Sequence, residues 1–351
     1  MCKAKRAVIL LLSAMLVLGG CASGTAEMRQ ISMKITRSLT MQVSEKDAMV
    51  REEAERFAAR VSELSGGMLE IEVQSGFPDH ETVASGEADF AFLSNIQMAQ
   101  ANSLFGMLSL PFTYDDYNHM SIALNSEEML TLLTDRLAGT NLLPMMALYN
   151  GTSCLVTNRG ELRVPSDFRD LAIAMRTDNA EKIRMFEVLG ARVLPYSHTS
   201  LVPMLGQEVE ILPDDLTKPG DLVTIDTIEV DLEQALQLLS DPDSLYLIRT
   251  FHNLSPLWLV ANQEAFASLS AWEQAVVREG LAGLLAQMEL RREGRDRELL
   301  AQMVNMGIEI VDIERPEIGV AIYGSSGTGT DKYTPPAAFD RRVYQMIQNF
   351  S

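Results

Sequence analysis

The stretch that decides the fold is MLEIEVQSGFPDHETVASGEADFAFL, residues 68–93. Leu69, Ile71 and Val73 alternate with polar residues, which is typical of a strand with one buried face. Residues 81–86 predict a short helix that ends at a glycine, and the apolar run at residues 88–93 predicts a buried strand. This order of strand, helix and strand indicates parallel pairing through a crossover helix.

The same order of elements extends towards the N-terminus. Residues 31–38 alternate apolar and polar side chains and predict a first strand, and residues 45–64 predict an amphipathic helix. The resulting βαβαβ unit indicates an α/β lobe with a largely parallel sheet. Ligands of such sheets bind beyond the carboxyl ends of the strands. The expected contributions of this lobe to a site are therefore the loops after Ser38, after Gln74 and after Leu93.

A second α/β series follows farther along the chain. Residues 171–175 predict a strand that delivers Arg176 at its end, residues 179–189 predict a helix, and residues 192–195 predict the next strand. Two such series in a chain of 351 residues indicate two lobes. The remaining predictions are a helix at 116–137, a strand at 142–148 that continues in extended form at 153–158, a loop at 206–222, a long helix at 272–302 and a last helix at 338–350.

The first 21 residues have the layout of a secretion signal. Three basic residues precede an apolar run at residues 7–18, which is too short to span a bilayer. The sequence LGGC at residues 18–21 resembles the bacterial lipoprotein box, in which the cysteine becomes the acylated first residue of the mature chain. We expect a signal peptide at residues 1–20, a lipid on Cys21, a tether at 21–28 and an extracytoplasmic location on the cell membrane. The alternative is an ordinary cleaved signal with a chance cysteine.

The chain is strongly acidic. Its formal net charge is −19, and loss of a leader with three basic and no acidic residues makes the mature chain more acidic still. Phosphate backbones are bound by clustered Lys and Arg, so nucleic acid is not an expected partner. Beyond the leader the sequence has no further run of 18 or more apolar residues, and we expect no second membrane segment.

No motif in the sequence points to catalysis. Cys154 is the one cysteine besides Cys21 in the mature chain, so an internal disulfide is not expected and a buried structural thiol is favoured. The four histidines are scattered without helical pairing, and GxSxG, P-loop and GxGxxG motifs are absent from the sequence. We therefore predict a protein that is not an enzyme and needs no metal or cofactor. The alternative is a secreted enzyme on the same scaffold.

The order of short motifs over about residues 29–315 is similar to that of the substrate-binding proteins of tripartite ATP-independent periplasmic (TRAP) transporters. The motifs are AERFA at 54–58, SGGMLEI at 65–71, GEAD at 86–89, LPF at 110–112, YNGT at 149–152, PSD at 165–167, IAMR at 173–176, LGA at 189–191, DTIE at 226–229 and VAN at 260–262. Each motif is weak alone, whereas their order over most of the mature chain is specific.

The resemblance implies a two-lobed, periplasmic-binding-protein-like α/β fold with a hinge and a ligand cleft between the lobes. Such proteins capture a small organic acid and pass it to membrane permease subunits driven by an ion gradient. We expect lobe I from residues 29–150 and about 250–290, and lobe II from residues 151–249 and about 291–351. The alternative function is a ligand-sensing lipoprotein that presents its solute to a membrane sensor kinase.

The resemblance also implies a set of ligand-binding residues. Arg176 matches the family's main anchor, whose guanidinium forms a two-pronged salt bridge with the ligand carboxylate. Asn150 is a candidate to donate its amide, or else a turn residue. Ser94 is a candidate to reach the cleft, or else a solvated loop residue. Glu229 is a candidate to position Arg176, or else a structural residue.

Two positions depart from the family pattern. Ser153 stands where many relatives have a second arginine, and Val230 stands where they have asparagine. Roughly 15 extra residues also precede Asp226, by comparison with the family. The departures favour a smaller or more apolar monocarboxylate as the ligand. A ligand with no carboxylate is the alternative if Arg176 is not the anchor.

Overall fold

The computed structural model describes residues 36–45, 48–176, 180–196, 205–211, 220–239, 245–324 and 333–350. The predicted signal peptide, Cys21 and the tether lie outside these residues, as does most of the predicted strand at 31–38. Within the described ranges, no helix is both long enough and apolar enough to cross a membrane.

The described residues form an alternating series of strands and helices. The strands are β1 (Arg37–Ser44), β2 (Leu69–Gly76), β3 (Phe90–Ser94), β4 (Leu142–Thr157), β5 (Ala172–Arg176), β6 (Arg192–Tyr196), β7 (Glu208–Ile211), β8 (Asp221–Thr224), β9 (Thr227–Asp231), β10 (Tyr246–Arg249), β11 (Leu254–Asn262) and β12 (Glu309–Asp312). The helices are α1 (Ala48–Leu64), α2 (His80–Ala84), α3 (Asn95–Ala101), α4 (Leu104–Met107), α5 (Tyr117–Asn125), α6 (Glu127–Arg136), α7 (Ala180–Val188), α8 (Leu232–Leu238), α9 (Gln263–Ala267), α10 (Ala271–Asn305), α11 (Arg315–Tyr323) and α12 (Arg341–Gln348), with a 3-10 helix at Pro165–Phe168.

Ten of these strands belong to one continuous sheet. Its order is β2-β1-β3-β11-β4-β9-β5-β6, with β10 beside β4 and β12 beside β10. β1 runs parallel to β2 and β3, and β5 runs parallel to β9 and β6. β4 joins the two halves, because its first part pairs with β11 and its last part pairs with β9 and β10. The arrangement is an α/β fold with two lobes that share β4.

Each lobe has a hydrophobic core on both faces of its sheet. In β3, Phe90 and Phe92 enter one first-lobe core, and Ala91 and Leu93 enter the other. β5 divides its side chains between the two second-lobe cores in the same way. Side chains alternate across a strand, and strands covered on both faces read as continuous apolar runs. The sequence therefore marks these two strands clearly.

The first described strand extends beyond the predicted strand at 31–38, of which only residues 36–38 are described. β1 is Arg37–Ser44, because Met41 and Val43 continue the alternation, are fully buried, and pair in parallel with β2. Ser38 lies inside the strand, so the predicted site loop after Ser38 is wrong and the strand ends at Ser44. The strands before the other two predicted loops end at Gly76 and Ser94, within two residues of the prediction.

Two predicted elements are divided or joined in the structure. The helix predicted at 116–137 is two helices, because the Ser126 hydroxyl accepts a hydrogen bond from the Met129 amide (3.2 Å) and caps α6. The strand at 142–148 and the extended segment at 153–158 are one strand, β4.

The loop predicted at 206–222 contains β7 and β8, which form an antiparallel hairpin. Val209, Ile211 and Val223 pack against a second-lobe core, whereas Glu208 and Glu210 are exposed. This alternation with one covered face is the reason that a Pro-, Asp- and Gly-rich segment still forms strands.

The predicted division of the chain assigns residues 291–351 to lobe II. In the structure, the C-terminal helices in this range do not all pack on that lobe. Val343 and Ile347 of α12 belong to a first-lobe core, so α12 packs on lobe I. α10 passes from one lobe to the other, because Met288 packs in a first-lobe core and Leu299 and Met303 pack in a second-lobe core.

The close crossing of α10 over α1 depends on Gly280. A Cβ atom there would lie 3.0 Å from Val61 Cγ2, whereas a Cβ at Gly283 would meet nothing within 4 Å. Replacing glycine by alanine inside an open helix position stabilises a protein by about 0.5–1 kcal/mol. We expect this gain for Gly283→Ala, and a smaller gain or a loss for Gly280→Ala, in urea unfolding. Equal gains at the two positions would contradict the packing.

Candidate ligand-binding site

The anchor cavity lies where the two lobes meet, at the carboxyl end of β5. Its volume is about 410 Å³. β4, β5, α7, β9 and the segment before β11 contribute to its lining, which includes Asn150, Ser153, Arg176, Lys182, Glu229 and Asn253. The position agrees with the rule that ligands of parallel sheets bind beyond the carboxyl ends of the strands.

The first-lobe cavity adjoins it and has a volume of about 330 Å³. Asn150 lines both cavities, so they meet at β4. The rest of its lining comes from α1, β11 and the residues that follow β2 and end β3, including Val50, Phe77, Asp79, Phe92, Ser94 and Leu257. Together the two cavities form a cleft with one wall in each lobe.

A larger cavity, of about 750 Å³, lies beside Ala172 and Arg192. These residues begin β5 and β6, so this cavity is at the amino ends of the strands, opposite Arg176. The rule for parallel sheets therefore favours the smaller anchor cavity as the ligand site.

A buried ion pair forms part of the anchor cavity's wall. Lys182 Nζ donates a hydrogen bond to Glu229 Oε1 over 2.8 Å, and His252 Nε2 lies 3.4 Å from the same oxygen. Burial by itself raises the pKa of the Glu229 carboxyl, but Lys182 and His252 outweigh burial and hold this pKa well below its usual value. Burial also lowers the pKa of His252. Glu229 is therefore ionised at neutral pH and has Lys182 as its partner.

Arg176 ends β5 beside Tyr196, its partner in the register of β6. Its side chain is half-buried, and within the described residues no carboxylate forms an ion pair with it. Burial raises the pKa of the Tyr196 phenol, and the neighbouring Arg176 guanidinium opposes this rise. The guanidinium of Arg176 thus faces the anchor cavity beside a phenol.

The structure brings most of the predicted site residues to the anchor cavity. Five of them line it: Asn150, Ser153, Arg176, Glu229 and Val230. Ser94 lines the first-lobe cavity instead, where its hydroxyl caps α3 by accepting a hydrogen bond from the Gln97 amide (3.3 Å). Contact of each residue with a ligand stays a prediction.

Three of these residues also have structural contacts. Asn150 is exposed, and its Oδ1 accepts a hydrogen bond from Arg292 on α10 (3.3 Å). Val230 is buried, and its carbonyl accepts a hydrogen bond from the Cys154 thiol (3.3 Å). Glu229 pairs with Lys182, which favours the structural alternative for this residue over the positioning of Arg176.

Sequence reasoning missed Lys182. A helical lysine normally faces solvent, but Lys182 precedes Met185 and Phe186 by three and four positions, and all three are buried on one face of α7. That spacing is the signal that would have placed it in the site. Asn253 carries no comparable signal, since it lies in the irregular segment between β10 and β11.

The chemistry of the described residues is that of a binding site. Among them, no group of three or more His, Cys, Asp or Glu side chains is placed to hold a metal ion. Cys154 is buried, and burial raises the pKa of its thiol well above the usual value. A thiol in this state is a core residue rather than a nucleophile.

Residues 40–209 match the model of bacterial extracellular solute-binding protein, family 7 (DctP). In sequence, the chain is 31% identical over 164 residues to the C4-dicarboxylate-binding protein DctB of Bacillus subtilis, and the match covers 44% of this chain and 46% of the relative. The matched region therefore spans about half the length of this relative.

Solved structures extend the comparison to most of the chain. A TRAP periplasmic solute-binding protein from Ochrobactrum anthropi gives a TM-score of 0.68 at 17% identity, with 90% of each chain covered. The sugar acid binding protein of Advenella mimigardefordensis, solved with galactonate, gives 0.62 at 20% identity, covering 90% of this chain and 99% of that one. Identities this low compare folds only, and they confirm the predicted two-lobed, periplasmic-binding-protein-like α/β class.

The fold and the cleft are those of a two-lobed, periplasmic-binding-protein-like α/β protein. The match at residues 40–209, the Bacillus relative and the solved structures confirm the resemblance to DctP-like substrate-binding proteins of TRAP transporters that the order of the motifs indicates. Proteins of this family are extracellular solute-binding receptors, so the prediction that the chain is not an enzyme is also confirmed.

The Lys182–Glu229 pair predicts a large effect of Glu229→Gln. Removing one member of a buried ion pair is strongly destabilising and costs about 3–5 kcal/mol. We expect this loss in the free energy of unfolding in urea at pH 7. Because the pKa of Glu229 is lowered on folding, its contribution is present above the usual carboxyl pKa and is lost as the pH falls below it. The difference in the free energy of unfolding between the wild type and Glu229→Gln should therefore become smaller at acidic pH.

The matched control is Glu233→Gln, whose partner Arg295 lies 3.1 Å away in an exposed ion pair. Exposed pairs contribute about 0–1 kcal/mol. An equal loss in the two variants would show that burial does not strengthen the Lys182–Glu229 pair.

Proposed function

We propose that this chain is a lipid-anchored extracytoplasmic receptor that binds the carboxylate of a small organic acid and delivers the acid to a TRAP-type permease. The position of Arg176 carries the proposal. Its half-buried guanidinium lines the anchor cavity, and within the described residues it has no carboxylate partner. An anion beside a partly desolvated guanidinium offsets the cost of its desolvation, so the cavity favours an anion.

The fork of the guanidinium favours a carboxylate in particular, because two parallel N–H···O bonds match its geometry. The acidic side chains near Arg176 favour a ligand with only one carboxylate. Glu229 is already paired with Lys182, and Asp231 accepts a hydrogen bond from the Gln234 amide (2.7 Å) at the start of α8. A second ligand carboxylate in this cavity would face their negative charges. We therefore favour a monocarboxylate.

The ligands of relatives support an organic acid as the ligand class. The Bacillus relative is named for C4-dicarboxylates, and the Advenella protein was solved with galactonate. This chain has Ser153 and Val230 in place of the arginine and asparagine of many relatives. The shared feature is the carboxylate, and the rest of the ligand is expected to differ.

Hinge closure is the proposed mechanism. Ligand contacts from both lobes favour the closed state over the open one, and the permease subunits recognise the closed receptor. Asn150 and Ser153 lie in β4 where it passes between the lobes, which supports a hinge at residues 149–158. The second proposed hinge, residues 246–262, contains β10 and β11.

The lipid anchor is tested at Cys21. We expect the wild-type protein to incorporate a labelled fatty acid and to sediment with membranes, because acylation supplies the affinity for the bilayer. Cys21→Ser should lose both the label and the membrane fraction. Cys154→Ser is the control, since that thiol is buried and should not affect labelling. Retention of label in Cys21→Ser would overturn the anchor.

The carboxylate anchor is tested by thermal shift of the refolded, ligand-free mature domain against a panel of organic acids. A ligand that binds only the native state raises the melting temperature. Truncating one member of a desolvated charge pair costs about 2–5 kcal/mol, or roughly 30-fold in affinity at the least. We expect Arg176→Ala to abolish the shift and Arg176→Lys to lose most of it.

Arg192→Ala is the matched control, because Arg192 is exposed at the opposite end of the neighbouring strand. It should keep the full shift. An acid-dependent shift that survives in Arg176→Ala, or the absence of a shift with every acid, would overturn the proposed function.

A further inference from the structure

The first-lobe cavity has an exposed aromatic side chain at its edge. Phe77 follows β2 directly and is 73% exposed, the highest value among the exposed large apolar side chains. Single exposed apolar residues are common on proteins. Phe77, however, also lines a cavity, which makes its exposure part of the cleft rather than of the outer surface.

The floor of this cavity is apolar. Val50, Phe92 and Leu257 line it, and all three also belong to the first-lobe core formed with α1 and α10. They come from α1, β3 and β11, so three packed elements hold the floor in place. The cavity is thus an open edge of the core rather than a gap between loops.

The polar side chains on the same wall are engaged within the lobe. Asp79 Oδ1 accepts hydrogen bonds from the amide and the hydroxyl of Thr82, each at 2.8 Å. Gln97 Oε1 accepts a hydrogen bond from the Ser94 amide (2.8 Å), and its Nε2 donates to the Pro78 carbonyl (2.6 Å). These groups cap α2 and α3. A ligand with many hydroxyl groups would lose hydration here without gaining equivalent partners.

Asp79 also opposes a second anionic group. Hydrogen bonds from Thr82 hold the pKa of the Asp79 carboxyl below its usual value, so it is ionised at neutral pH. A dicarboxylate anchored at Arg176 would direct its far end towards this charge. The first-lobe wall therefore suits an uncharged group.

The size of the cavity sets the scale of that group. An apolar protein cavity of roughly 150 Å³ accepts a benzene molecule, and the first-lobe cavity measures about 330 Å³. An aryl or branched-alkyl group therefore fits. Because Asn150 lines both cavities, one small molecule can extend from Arg176 into this space.

We propose that the first-lobe cavity is an apolar subsite for the hydrocarbon body of the acid, and that Phe77 closes over this body as the lobes come together. The inference rests on the proposed function, since it assumes the carboxylate at Arg176. The ligand class is then an aryl- or branched-alkyl monocarboxylate, and polyhydroxylated sugar acids and dicarboxylates are rejected. Phe77 is the specificity-determining residue of this subsite.

The test is calorimetric titration of the mature domain with phenylacetate, 4-methylpentanoate, galactonate and succinate. We expect the two apolar acids to bind at least about 10-fold more tightly than the other two, with a negative heat-capacity change that marks apolar burial. Phe77→Ala should weaken the apolar acids by about 10-fold or more, as expected for loss of one buried aromatic side chain. The heat-capacity change on binding of the apolar acids should also become smaller in this variant.

Leu222→Ala is the matched control, because Leu222 on β8 is also strongly exposed, at 70%, and does not line the first-lobe cavity. It should bind every acid as the wild type does. Unchanged binding of the apolar acids by Phe77→Ala would overturn the inference. So would Arg176-dependent binding of galactonate or succinate in preference to the apolar acids, and that result would leave the proposed function standing. Binding of no acid at all would overturn both.

Discussion

The pairing of β4 is the constraint on which the rest of the structure depends. Its 16 residues bond to β11 in the first lobe and to β9 and β10 in the second. Because buried backbone groups must keep their partners, a strand shared by two half-sheets holds residues 150–153 at the boundary between the lobes. Gly151 lies there with a φ of 90°, a conformation that favours glycine. The cleft and the proposed hinge therefore share this short stretch of backbone.

Positively charged side chains lie in the cleft at the boundary between the lobes. The chain has a formal net charge of −19, yet the second-lobe wall of the cleft contains Arg176 and Lys182. Lys182 compensates the carboxylate of Glu229, whose side chain is only 4% exposed. Arg176 is the residue proposed to bind the ligand carboxylate. The first-lobe wall contributes apolar surface, and its polar groups are used in helix caps, which is the basis for proposing one amphipathic acid as the ligand.

How closely a predicted element matched its observed bounds depended on the physical reason that the element forms. β3 and β5 are covered on both faces, so their apolar runs located them to within two residues. β1 extends beyond its predicted end at Ser38, because alternation reveals a strand but not how far its pairing continues. The division at Ser126 was missed because one capping hydroxyl interrupts an otherwise continuous helical pattern. The hairpin of β7 and β8 was missed because the sequence between the two strands is rich in Pro, Asp and Gly, which favour a loop.

The sequence by itself determined the α/β class, the two lobes, the resemblance to a family and the position of Arg176 at the end of a strand. These follow from periodicity and motif order, which are local properties of the chain. Only the tertiary structure decided that Lys182 neutralises Glu229, 47 residues away, and that Asn150 links two cavities. It also decided that Ser94 caps a helix and that Phe77 lies at the cleft. Such contacts depend on how separate elements pack, and no local pattern records that packing.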